Sequence, residues 1–393
     1  MTVPTLAPAD PRSGAWQVDP GFGVYVHIPF CRHRCHYCDF NTYEGHTEVY
    51  EAYVDALVAD IGRWEGEVRP ATSIFFGGGT PTLLDPASLG RILRAVIDRA
   101  GVADDVEITI EANPETVDEP YLRKLRAAGF ARISIGVQSL VPKVLAGLGR
   151  THSPERALQA IAAARAAGFD DINADLIYGS PWETDDDWMR SLEGIVAAGV
   201  DHVSAYALTI EAGTPLATLI ETGRSADVDP DVQAHRHAVA DRVLGTAGFK
   251  RYEISNWSRP GRASRHNVLY WSAGDYLGFG CGAHAHVAGE RWWVTRLPRD
   301  FIGAVAAGSI TVAGSELLAA DERAGEALML GLRLVSGIEV AGFAERYGRE
   351  ALSKRAVVVA ELRAQGLLDP EPDRLRLSPR GTLIANEALM RLL

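Results

Sequence analysis

The sequence predicts an α/β fold, a partial, open barrel of six strand–helix units followed by a smaller C-terminal α+β part. Two observations carry this expectation. Short apolar runs begin near residues 24, 73, 106, 132, 171 and 202, about 26 to 50 residues apart. Each gap has room for a crossover helix, which makes the strands parallel. The segments between them also end alike, because Gly129, Gly168, Gly199 and Gly248 each close a helix-like stretch just before an apolar residue. Glycine is favoured just past a helix end, where the backbone turns left-handed. A doubly wound sheet is the alternative, since a sequence does not by itself decide closure.

Residues 1–20 hold Pro4, Pro8, Pro11 and Pro20 and no apolar core, and read as a disordered lead-in rather than a signal peptide. Residues 24–28 form the first strand, stopped by Pro29, and a helix follows from about Thr47 to Trp64. The run 73–76 is stopped by the glycines 77–79, and Asp85 with Pro86 opens a helix. Strands over 106–110, 132–137, 171–177 and 202–208 complete the barrel, which is assigned to residues 21–250. An extension over 251–320 and a winged-helix-like domain over 321–393 follow. In that last domain residues 367–377 suggest a hairpin and 378–381 the start of a helix. It is expected to cover the barrel mouth or to meet a partner.

Composition excludes several functions. The 393 residues are 47% hydrophobic and 23% charged, with net charge −12 and no basic block, which argues against nucleic acid as a partner. No apolar run approaches the roughly 18 residues of a membrane span. Clustered cysteines without an export signal point to a reducing cytoplasm.

Three of the four cysteines, Cys31, Cys35 and Cys38, fall in one C-x3-C-x2-C loop directly after the first strand. Thiolates suit zinc or an iron–sulfur cluster. A zinc site would need a fourth ligand, for which His27, His33 and His36 are the candidates. A 4Fe–4S cluster on three cysteines would leave one iron open to a ligand. A disulfide framework belongs instead to small secreted chains. Barrels place functional residues at the C-terminal ends of their strands. Gly78, Gly79, Thr80, Glu111, Asn113, Gln138, Asp175 and Tyr206 fall at or near such ends. Singly, each also has an ordinary reading as a turn, a cap or a surface ion pair.

The cysteine loop, following Tyr25 to Phe30, resembles the cluster loop of radical S-adenosylmethionine (SAM) proteins, and more narrowly that of the anaerobic coproporphyrinogen III oxidase branch. The resemblance extends over most of the chain. It implies a 4Fe–4S cluster held by Cys31, Cys35 and Cys38. It also implies SAM bound by Gly78, Gly79 and Thr80, with Tyr25, Tyr37, Glu111, Gln138, Arg150 and Asp175 as further contacts. Arg150 suits a carboxylate, because its fork donates two parallel hydrogen bonds. Asp175 suits a ribose hydroxyl, because a carboxylate only accepts. The implied chemistry belongs to the cofactor: one-electron cleavage of SAM to methionine and a 5′-deoxyadenosyl radical.

Two further features bear on the branch. The resembling oxidases carry another cysteine two residues after the third, where this chain has Phe40. Phenylalanine cannot replace a thiol in electron or proton transfer. His266, Asn267, Tyr270 and Trp271 form an H-N-x-x-Y-W motif that resembles the heme-associated motif of HemW-type heme chaperones. An imidazole can ligate heme iron and aromatic rings can pack on the macrocycle, although a core histidine beside buried aromatics is the ordinary reading. Residues 326–338 and 278–284 also resemble that branch. His284 and His286 receive no role, and Cys281 reads as a packed thiol. Three functions stay open. The first is a heme chaperone handing heme to an acceptor such as a membrane respiratory enzyme, with transient membrane docking. The second is an oxygen-independent coproporphyrinogen III oxidase, and the third a radical SAM methyltransferase that opens heme. A homodimer is compatible with each.

Overall fold

The structure is a computed structural model and describes residues 13–66 and 69–393. Six parallel strands pair in sequence order: β1 (Phe22–Ile28), β2 (Ala71–Gly78), β3 (Val102–Ala112), β4 (Arg132–Gln138), β5 (Asp171–Tyr178) and β6 (His202–Ala207). The order never reverses, as it would in a doubly wound sheet. Helices α1 (Tyr50–Arg63), α2 (Pro86–Ala100), α3 (Glu119–Ala128), α4 (Pro154–Ala166) and α5 (Asp185–Ala197) make the crossovers. Alternation along the strands sorts the side chains. Val24, Val26 and Ile28 of β1, with Ile74 and Phe76 of β2, enter the apolar core shared with the helices. The residues between them, such as Tyr25, His27, Ser73 and Phe75, face the barrel interior.

Local chemistry fixes the helix ends. The Asp85 carboxylate accepts the N–H groups of Ala87 and Ser88 and so caps α2. Gly129 closes α3 with φ 114°, a left-handed position that costs glycine nothing. Gly168, Gly199 and Gly248 repeat the device.

Among the described residues the sheet does not close. The stretch 251–320 lengthens it at both edges. Strand β7 (Lys250–Glu253), at the edge, pairs antiparallel with β8 (Asn256–Ser258), and β8 pairs antiparallel with β6. Helix α6 (Arg265–Trp271) then leads to β9 (Asp275–Phe279), which pairs parallel with β1. Antiparallel β10 (His284–Val287), β11 (Glu290–Val294) and β12 (Val312–Leu317) follow, giving a sheet of twelve strands among the described residues. The parallel pairing of β9 with β1 had no signal in the strand spacing.

A second core holds the C-terminal helices together. Leu328, Leu332 and Phe343 pack there with Trp16, Tyr252 and Val268. This corrects the expected lead-in: residues 1–12 lie outside the described residues, but Trp16 is buried and Gln17 N–H donates to Ser272 Oγ at 3.1 Å. An indole fills a gap between two elements and so ties down a terminus that composition alone reads as loose. The C-terminal domain carries a two-residue strand pair, Ile338–Glu339 with Arg374–Leu375, and a bridge from Leu368 to Leu377 before the helix Pro379–Leu383. Among the described residues no helix is long and apolar enough to cross a membrane.

Candidate functional site

The cysteine loop is built onto the end of β1. The short strand Phe30–Cys31 pairs with Tyr43–Glu44. Gly79 N–H donates to Ile28 O at 2.8 Å and Thr80 N–H to Phe30 O at 2.7 Å, so the glycine turn after β2 is stitched to the loop. A Cβ on Gly79 would strike the Phe30 carbonyl, and one on Gly78, at φ 111°, would lie 2.5 Å from the His27 ring. The far side of the loop is held by His36, whose N–H donates to Leu148 O at 3.1 Å and whose carbonyl accepts Leu216 N–H at 2.9 Å.

A cavity of about 480 Å³ opens at these strand ends. Cys31, Cys35, Cys38 and Tyr37 line one side of it, with Gly78, Gly79 and Thr80 beside them. Glu111, Gln138, Arg150 and Asp175 complete the walls. Every residue assigned from the sequence to cluster or cofactor is thus here except Tyr25. The Tyr25 hydroxyl lies 2.9 Å from His27 Nδ1, and the residue faces a neighbouring cavity instead.

Hydrogen bonds fix the cavity walls. Arg150 Nη1 donates to Cys35 Sγ at 3.3 Å, and Nη2 donates to Asn113 Oδ1 at 2.6 Å and to Gly136 O at 2.9 Å. Asn113 in turn donates to Thr80 Oγ1 at 3.0 Å. One arginine therefore links the cysteine loop, the glycine turn and β4. Asp175 accepts from Ser134 Oγ at 2.9 Å and from Asn173 Nδ2 at 2.7 Å, which orients it. Gln138 adopts φ 63°, a left-handed conformation that is uncommon outside glycine and concentrates at functional sites. Glu111 accepts Gly78 N–H at 3.1 Å. Burial first, then the charge of Asp175, pushes the Glu111 carboxyl up to about 8.

The donor set fits an iron–sulfur cluster. Burial, then the charge of Cys38, pushes the Cys31 thiol up to about 11, so gathering the thiolates calls for positive charge between them. Among the described residues no group of three His, Cys, Asp or Glu side chains could hold a single metal ion. The three thiols line one wall of the cavity together. Cys281 is buried, with its N–H donating to Tyr53 OH at 3.0 Å, and is not on this wall.

The H-N-x-x-Y-W motif is placed differently from the expectation. His266 is almost fully buried on α6, its Nδ1 2.9 Å from Ser73 Oγ and its Nε2 3.0 Å from Tyr270 OH. Its ring stacks on Phe75 at 5.2 Å. The buried carboxylate of Glu107 accepts the N–H groups of Arg265 and His266 and caps the helix. Burial, then the Arg132 charge, pushes the His266 imidazole down to about 3. With both nitrogens bonded inside the protein, His266 is not placed as an iron ligand. Asn267 Nδ2 donates to Tyr252 OH at 3.3 Å, and Trp271 lies under the Arg333 guanidinium at 4.5 Å. Tyr270 is the motif residue that reaches a second cavity beside the cysteine-lined one.

That neighbouring cavity, of about 800 Å³, shares Phe40, Gly78 and Glu111 with the first. Phe40, largely exposed, stands at the junction. Neither cavity is lined by any residue of 321–393, so the C-terminal domain does not cover the mouth as expected. It packs on α6 and Trp16 because those supply its second apolar face.

Fold and cavity together define a radical SAM protein. A family model for the radical SAM superfamily matches residues 25–195, and one for the HemN C-terminal domain matches residues 318–384. The chain is 44% identical over 380 residues to a protein of Mycobacterium tuberculosis named heme chaperone HemW, covering 95% of each. It is 31% identical over 367 residues to the Bacillus subtilis protein of that name, covering 93% of this chain and 97% of the relative. The solved Escherichia coli coproporphyrinogen III oxidase HemN superposes with TM-score 0.80 at 22% identity, over 97% of this chain and 92% of its own. The chain belongs to the HemW family.

Proposed function

We propose that the protein is a heme chaperone that binds heme and passes it to an acceptor protein, on a scaffold that holds a 4Fe–4S cluster and SAM. The observation that carries this reading is near full-length similarity to proteins named as heme chaperones. The likeness to the oxidase is one of fold. Phe40 supports the same reading: the side chain between the two cavities has no proton or electron to give.

Cys31, Cys35 and Cys38 would hold the cluster. The Arg150 fork suits the SAM carboxylate, the Gly78–Thr80 backbone and Glu111 its amino group, and Asp175 a ribose hydroxyl. Tyr37 and Gln138 flank that space, and Tyr25 supports it from the adjoining cavity. When bound, the cluster and SAM supply one-electron chemistry. A membrane respiratory enzyme is the acceptor class, reached from the cytoplasm by transient docking.

The test is anaerobic product analysis. Reconstituted protein is incubated with reductant, SAM and either coproporphyrinogen III or heme, and tetrapyrroles are separated by chromatography. The reading expects both tetrapyrroles to be recovered unchanged. Protoporphyrinogen would instead establish the oxidase, and a methylated linear tetrapyrrole the methyltransferase.

A further inference from the structure

We infer that heme iron is ligated by His284, in the cavity of about 800 Å³ beside the cofactor cavity, with Trp293 against the macrocycle and Arg296 on a propionate. This assignment rests on the heme-chaperone reading and gives that cargo a site.

His27 and His266 face inward and use both ring nitrogens, His27 toward Tyr25 and Asn41, His266 toward Ser73 and Tyr270. His286 is turned toward the neighbouring Asp275, 3.5 Å away. His284 is exposed on the cavity wall, and among the described residues its ring makes no hydrogen bond or ion pair. An iron ligand needs such a nitrogen, because a ligating imidazole must present a free lone pair.

The strands supply the rest. His284 on β10 stands opposite Trp293 on β11, with ring centroids 6.0 Å apart and planes inclined by 31°. Tyr270 and Tyr276 meet edge-to-face at 4.7 Å and form a further aromatic wall. Such surfaces suit a flat apolar ring. Arg296 also lines the cavity, is in no ion pair among the described residues, and spends one donor on Asn41 Oδ1 at 3.4 Å. Its remaining donors suit a carboxylate. Gly278 explains part of the glycine-rich run before His284, since a Cβ there would strike the His284 carbonyl and push β10 off β9. The cavity volume lies within the range of ordinary cofactor sites. Cargo here would share Phe40, Gly78 and Glu111 with the cofactor cavity.

The experiment is an anaerobic heme titration of the full reconstituted chain, followed by Soret absorbance, with His284→Ala, His284→Ala plus free imidazole, and Trp293→Ala. His284→Ala is expected to weaken binding roughly tenfold or more and to shift the Soret band, with imidazole restoring the band. Trp293→Ala is expected to weaken binding without moving it. If the wild type binds heme and His284→Ala binds it equally with an unchanged band, the site assignment is overturned and the chaperone reading stands. If the wild type shows no saturable binding, both fail.

Discussion

The Tyr270 hydroxyl lies 3.0 Å from Nε2 of His266. That bond makes a buried histidine the support of an aromatic ring that lines the larger cavity. His266→Ala removes this bond and the one to Ser73 and leaves a void. Urea unfolding should show a loss of about 2–4 kcal/mol. The Soret band of the heme-loaded variant is expected to stay in place, because both His266 ring nitrogens are bonded within the protein.

Arg150 ties Cys35, Asn113 and Gly136 together and lines the cysteine-lined cavity. Arg150→Ala should weaken SAM binding by roughly 10- to 100-fold, the worth of a charge-assisted pair. Anaerobic equilibrium dialysis measures it. Arg150→Lys should recover little, since an ammonium cannot span the same acceptors.

The Gly79 backbone abuts the Phe30 carbonyl. Gly79→Ala should displace the start of the cysteine loop and cost about 1–3 kcal/mol. The iron bound per chain after reconstitution should fall along with the melting temperature. Unchanged iron content would show that the loop tolerates the displacement.

Glu111 gives the pH dependence a sign. Its carboxyl is pushed from 4.5 up to about 8 by burial and then by Asp175. The fold therefore favours the protonated form. The stability this contributes is full below pH 4.5 and is lost as pH rises through about 8. Glu111→Gln keeps a neutral side chain at every pH. The melting temperature of the cofactor-free variant should match the wild type near pH 4.5 and exceed it above pH 8. Parallel melting curves for the two proteins would contradict this.

Much of this architecture was legible in the chain. The strand spacing gave the six parallel strands, and Gly129 and Asp85 marked helix ends, because those signals are local. The cysteine spacing and the strand-end positions of Glu111, Gln138 and Asp175 pointed to one cavity because a barrel gathers its strand ends. The rest depended on contacts distant in sequence. Nothing near Trp16 announces its packing with Leu328 and Phe343. Glu107 and Ser73 lie far along the chain from His266, so its burial could not be read from the motif. His284 likewise gains its surroundings only when β10 and β11 pair.

The most direct measurement is a heme titration of the wild-type, cluster-reconstituted protein under anaerobic reducing conditions, with SAM present. The heme-chaperone function predicts saturable binding of a single heme per chain, with the heme recovered intact. Absence of saturable binding, or recovery of an altered tetrapyrrole, would contradict it.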